Sequence, residues 1–198
     1  MIQSENIQGL VEQYMLYRIS KKIVSLFFNL LNVLMKGNLP PFGCACVIVE
    51  RDGYYLVVDQ GKRVVFPGGF IRWHEHPVQT AMREGHEETG LFLEIGDIVN
   101  VYPGITNSMD DMSTLTVVYE GKAIGGTLQD TGEGKPYWID EKTLREQFGS
   151  YYGGMLDDYL TYHRRQEQIK TAQEVQTVEE VKSVQEVKEV QKVGVSRL

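Results

Sequence analysis

Cysteine is scarce: of 198 residues only Cys44 and Cys46 are cysteine. No disulfide framework can be built from them, which fits a reducing compartment. Both lie in GCACVIVE, where strand alternation puts them on the same side. Two thiols fall short of the four ligands a structural metal site needs, so they read as reduced core residues. Long apolar runs are also lacking. The run Ile23–Met35 is shorter than the roughly 20 residues of a membrane span. It starts after residue 20 and no A-x-A-like cleavage site follows, so no secretory signal is evident and a cytoplasmic location is expected. Positive charge is in deficit, with a net charge of -7, which argues against a broad nucleic-acid-binding face. Phosphate groups would instead need local positive charge, from a metal ion or from Arg63 or Arg72. The hydrophobic fraction of 42% suffices for a core, and the length suits one domain with appendages.

Three segments differ in character. Residues 1–38 read as an amphipathic helix. Arg18, Lys22, Ser25, Asn29, Asn32 and Lys36 recur at alternating spacings of four and three, a narrow polar stripe beside an otherwise apolar surface. Such a helix packs on its own domain, pairs with a second subunit as a homodimer, or lies on a membrane surface with Arg18, Lys21, Lys22 and Lys36 toward anionic lipid. Asn38-Leu39-Pro40-Pro41 ends it. Residues 39–168 read as the chemical domain. Cys44 to Glu50 and Tyr54 to Asp59 are strand-like around the hairpin signal Arg51-Asp52-Gly53. Further strands are predicted at Val64 to Phe66, from Leu91 to near Asn100, at Thr114 to Glu120 and at Lys135 to Ile139. Asp140 caps a helix over Glu141 to Gln147, and Leu156 to Gln166 reads as a last helix. Residues 169–198 are low-complexity, with valine at every third position from Val175 to Val193. A strict three drifts around a helix instead of forming a seam, so a disordered or transiently helical tail is expected.

Gly69 to Leu91, GFIRWHEHPVQTAMREGHEETGL, carries the densest pattern in the chain. Pro77 suits a first helical position and Gly90 a helix end. On a helix between them Glu84, Glu87 and Glu88 are related by three and four residues and share a face. Like charges at that spacing repel, and they crowd the negative end of the helix dipole. A helix shaped by stability alone would carry lysine or arginine there. A hard divalent cation bound through carboxylate oxygens relieves both penalties. Arg83, one turn before Glu87, is placed to orient that carboxylate.

The spacing Gly69, Glu75, Arg83-Glu84, Glu87-Glu88, Gly90 resembles the Nudix hydrolase signature, G-x5-E-x7-R-E-U-x-E-E-x-G-U with U a bulky aliphatic residue. The resemblance implies an α/β fold, an α/β/α sandwich around a mixed sheet. It implies hydrolysis of the pyrophosphate bond of a nucleoside diphosphate linked to another moiety X, with Mg²⁺ or Mn²⁺ required. It makes Glu84, Glu87 and Glu88 metal ligands, with the carbonyl of Gly69 as a further one. Glu87 or Glu88 would position or deprotonate the water, and Glu75 and Arg83 would tie loop to helix. Clustered cations of this kind neutralise the diphosphate and acidify a bound water, so no Ser/His/Asp arrangement is called for. The chain departs from the pattern at Gly85, where an aliphatic residue is usual and where a mid-helix glycine costs about 1 kcal/mol. His74 replaces a common glycine, His76 replaces a better capping residue, and Val64-Val65 replace a common tryptophan.

Specificity is less legible. Tyr54, Arg72, Trp73, Tyr102 and Trp138 are candidates to stack a base or contact phosphate, as are the polar loop Ile105 to Ser113 with Asp110 and Asp111, and Glu133 in a glycine-rich segment. Two other functions compete with hydrolysis: a nucleotide-binding or regulatory module that keeps the fold without turnover, and a membrane-peripheral adaptor held by the N-terminal helix.

Overall fold

A continuous apolar run in a strand signals cover on both faces, and the strand Phe42–Arg51 (β1) has that character, with Ala45, Val47, Ile48 and Val49 all fully buried. The computed structural model describes residues 16, 19, 20, 22–104 and 112–195, with side chains described through residue 177. Two compact units result, Met1–Leu156 and Asp157–Leu198.

In the first unit β1 is central. It pairs antiparallel with β2 (Tyr54–Asp59) and β4 (Gly68–Phe70), and parallel with β6 (Thr114–Gly126). β5 (Leu91–Gly104) lies antiparallel on β6, while β3 (Val64–Val65) and β7 (Lys135–Asp140) flank β2. The mixed sheet and its helices form the expected α/β/α arrangement. β5 opens with alternating burial, Leu91 and Leu93 in and Phe92 and Glu94 out, so one of its faces packs and the other meets water. Leu93 joins Val47, Leu56, Ala81 and Tyr119 in the core under helix α2 (Pro77–Thr89). Each buried valine or leucine among them contributes about 1.5–3 kcal/mol.

Several boundaries differ from the sequence reading, each for a local reason. The hairpin turns on two residues, with Arg51 opposite Tyr54 and positive φ at both Asp52 and Gly53, the backbone that matches strand twist. β4 was not anticipated, because three residues are too short to show alternation; it is a strand only because β1 supplies hydrogen bonds. α3 (Glu141–Gln147) is capped by Asp140 as expected, the carboxylate accepting from the N–H of Thr143 at 3.0 Å.

The last helix, α4 (Ser150–Val195), starts six residues before the expected Leu156 and continues through the stretch read as disordered or transiently helical. Glutamate, glutamine, lysine and alanine have good helix propensity, and hydroxyls of Thr171 and Thr177 bond back to the carbonyls of Glu167 and Gln173. Composition placed a boundary at 168/169; the first compact unit closes earlier, at Leu156.

The N-terminal helix is described over residues 22–34 (α1). It packs through the face that carries Ser25 and Phe28: Ser25 is buried, and Phe28 meets Phe42 with ring centroids 4.5 Å apart. Asn32 accepts the N–H of Leu39 through its side-chain oxygen at 3.2 Å. The expectation that the apolar face packs on the chain's own domain does not hold for these residues, since Phe27, Leu30 and Leu34 are exposed. Arg18, Lys21 and residues 105–111, including Asp110 and Asp111, lie outside the described residues.

Candidate active site

The helix that carries the acids begins where the sequence places it. Pro77 is the first residue, and Gly90 ends it with φ 76°, its N–H donating to the carbonyl of His86. The cap is better than histidine's ranking suggests. Nδ1 of His76 accepts from the N–H of Val78 at 3.3 Å, and the side-chain oxygen of Gln79 accepts the N–H of His76 at 2.8 Å. His74 takes φ 65°, which explains why glycine is the easier residue there.

Gly85 has an equally direct reason. A Cβ on it would overlap Cδ1 of Leu93, so the strand supplies the aliphatic group that the helix position lacks. The departure leaves the packing intact.

A latch fixes loop to helix. Arg83 grips Glu75 with two hydrogen bonds, Nε to Oε1 at 2.7 Å and Nη2 to Oε2 at 2.8 Å. Oε2 of Glu75 also takes the hydroxyl of Thr80 and the N–H of Arg72. These donors, the guanidinium foremost, hold the Glu75 carboxyl down at about 2. Nη2 of Arg83 further reaches the carbonyl of Phe70 at 3.2 Å, which joins the end of β4 to the helix.

The three acids of the motif do not share one environment. Glu88 is 2% exposed. Its Oε2 takes the N–H of Gly68 at 2.9 Å and its Oε1 lies 3.5 Å from Nε2 of Gln60. Burial, with the charges of Glu84 and Glu133 behind it, outweighs those hydrogen bonds and pushes the carboxyl up to about 8. Glu84 is largely buried and stands against Gly69, where a Cβ would come within 2.5 Å of its carboxyl. Burial raises its pKa as well. Glu87 sits outward, held by Nη1 of Arg83 at 3.1 Å and Nη2 of Arg72 at 3.2 Å.

Among the described residues no three acidic, histidine or cysteine side chains stand close enough together to hold a metal ion as placed. Nη1 of Arg83 stands between two of the expected ligands, 2.7 Å from Glu84 and 3.1 Å from Glu87. The donor chemistry still fits a hard cation. The charge of Glu84 raises the cost of ionising Glu88, and those of Glu133 and Glu87 raise that of Glu84, beside the glycine whose carbonyl is the expected extra ligand. All candidate donors are oxygens.

Of the other candidates, Glu133 is near enough for its charge to raise both Glu84 and Glu88. Arg72 and Trp73 occupy the exposed turn before α2, Trp73 at 88% exposure with its ring against His74. Tyr54 is half exposed at the hairpin, Trp138 lies under the guanidinium of Arg51, and the hydroxyl of Tyr102 reaches the carbonyl of Gly154 at 3.4 Å. The Cys46 thiol is buried and pushed up to about 12 by that burial, an unreactive core thiol as expected.

Gln60 was missed by the sequence reading. It follows β2, its Nε2 faces Glu88, and its side-chain oxygen accepts from Nε of Arg63 at 3.3 Å. A positive charge thereby stands one residue removed from the buried carboxyl. No sequence signal marks it, because its partner lies 28 residues away.

The model of one family, described as NUDIX domain, matches residues 40–159, more than half of the chain. A "MutT-like protein" of Streptomyces ambofaciens is 27% identical over 119 residues, 59% of this chain and 74% of that protein. A "Probable DHNTP pyrophosphohydrolase" of Lactococcus lactis subsp. cremoris is 32% identical over 75 residues, covering 35% of this chain and under half, 45%, of that protein. Among solved structures, a NUDIX hydrolase from Nitrosomonas europaea superposes with a TM-score of 0.57 at 20% identity, over 62% of this chain and 90% of that one.

Proposed function

Because the chain belongs to the NUDIX domain family and is a pyrophosphohydrolase of that type, we propose that it splits the pyrophosphate bond of a nucleoside diphosphate linked to a further moiety X, in a reaction dependent on Mg²⁺ or Mn²⁺. The observation that carries the reading is the placement of Glu84 and Glu88, buried on one helix turn against Gly68 and Gly69. Burying two carboxyls side by side is costly, and their arrangement on a rigid helix suits positioned ligands.

Glu84, Glu87, Glu88 and the Gly69 carbonyl would hold the ion. When bound, it would neutralise diphosphate charge and acidify a coordinated water. The chain's own groups do the rest. The Arg83–Glu75 latch holds β4, the turn and α2 in register. The N–H of Gly68 orients Glu88. Arg72 supplies positive charge on the open side for substrate phosphate, with Trp73 as a platform for a base and Glu133 as a further carboxylate at the rim. To hold the ion, Glu84 and Glu87 would give up their contacts with Nη1 of Arg83.

The test is turnover with Mg²⁺ or Mn²⁺ across ADP-ribose, NADH, diadenosine polyphosphates, nucleotide sugars, DHNTP, and normal and oxidised nucleoside triphosphates, with Glu88→Gln as control. Hydrolysis of one class, lost in the variant, supports the reading and names X. Thermal stabilisation by a nucleotide with no product from any of them replaces it with a nucleotide-binding module.

A further inference from the structure

Helix α1 turns the middle of its polar stripe, Ser25, Asn29 and Asn32, inward and its apolar surface to solvent. Ser25 and Asn32 face the domain, whereas Val24, Leu26, Phe27, Leu30, Val33 and Leu34 are all more than half exposed. At 100° per residue these positions span about half the helix circumference. Lys22 and Lys36 are exposed near its two ends, and Arg18 and Lys21 precede it in sequence. Between residues 13 and 49 there is no Asp or Glu, although the whole chain carries a net charge of -7. The described helices include none long and apolar enough to cross a membrane.

We propose that α1 docks this chain on an anionic lipid surface. The helix lies in the plane of the headgroups, with its apolar half among the upper acyl chains and its lysines on the lipid phosphates. A wide apolar arc flanked by cations is the pattern of an interfacial helix. Two copies of α1 packed on each other would cover only a narrow seam and would bring like charges together. The inward face fixes the helix to β1 through Phe28 against Phe42, so the acidic domain stays on the aqueous side. The proposal is independent of the hydrolytic reading.

The experiment is sedimentation of the full chain with vesicles of phosphatidylcholine alone and of phosphatidylcholine with phosphatidylglycerol. Binding is expected to the anionic vesicles and to weaken with salt. The double variant F27S/L34S should lower the bound fraction at least about tenfold, and K22E/K36E should remove the preference for anionic lipid. Both changes lie on exposed positions, so the unfolding midpoint should stay unchanged. Equal or no binding to the two vesicle types overturns the proposal. So does a dimer in sedimentation velocity that F27S/L34S dissolves while vesicles capture nothing, which assigns the face to a second copy of the chain.

Discussion

Leu93 of β5 occupies the place that a side chain on Gly85 of α2 would need. The helix thus comes close to the sheet at Gly85, and the missing aliphatic group is supplied from across the interface. Adding one at the helix position overpacks the core. Gly85→Leu should lower unfolding free energy by about 1–3 kcal/mol, read by urea denaturation. Leu93→Ala alone should cost about 2–5 kcal/mol. Together the two should cost less than their sum by at least about 1 kcal/mol. Strict additivity would show that the two residues do not compete for one space.

The Glu75–Arg83 pair makes the stability of the fold sensitive to acid. The Glu75 carboxyl is held at about 2, against an ordinary value of 4.5. Its contribution is therefore complete above about pH 4.5 and is lost as the pH falls through about 2, where the folded state must take up the proton. Glu75→Gln removes this contribution, so its stability should depend less on pH between about 4.5 and 2 than that of the wild type. Parallel denaturation curves for the two proteins across that range would contradict the latch.

The sign is opposite for Glu88. Its carboxyl, pushed up to about 8 from 4.5, binds a proton in the folded metal-free protein that the unfolded chain has already released. Metal-free stability should then fall as the pH rises from about 4.5 to about 8. A cation that takes Glu88 as ligand must displace that proton. Titration of Mg²⁺ or Mn²⁺ in two buffers of different ionisation enthalpy should therefore show release of close to one proton at about pH 7 and little at about pH 9. No release at the lower pH would remove Glu88 from the ligand set.

Glu88→Gln keeps an oxygen for the N–H of Gly68 and loses the charge. Its kcat should drop at least about a hundredfold, since several kcal/mol of transition-state stabilisation rest on the ligand set. Its thermal midpoint without metal should equal or exceed the wild type, because a costly buried acid is gone. Near-normal kcat would overturn the assignment.

Gln60→Ala tests the residue that only the fold brings to the site. Losing its contact with Glu88 and with Arg63 leaves the carboxylate with less hydrogen-bond support, so proton release by metal at about pH 8, where the wild type releases only part of a proton, should increase and kcat should change by less than about tenfold. An unchanged proton count would make Gln60 a bystander.

Local chemistry determined much of this protein before any folding. Pro77 and Gly90 delimit a helix because one lacks an N–H and the other tolerates positive φ. The spacing of Glu84, Glu87 and Glu88 determined that they would stand near one another, since helical geometry is the same in every chain. The segment Cys44 to Glu50 reads as a strand and lies within β1, while the cover on both of its faces came from the assembled layers. Tertiary structure alone decided what surrounds those groups. Two of the three acids turned inward and one outward because β4 and Gly68 pack on only one side of α2. Gly85 became an asset because Leu93 is across from it. α1 turned its apolar face out because Phe28 is held against Phe42 of β1 and Ser25 is buried beside it. Each of these depends on partners remote in sequence, and burial, which sets both pKa and exposure, is a property of the assembled layers and not of any segment within them.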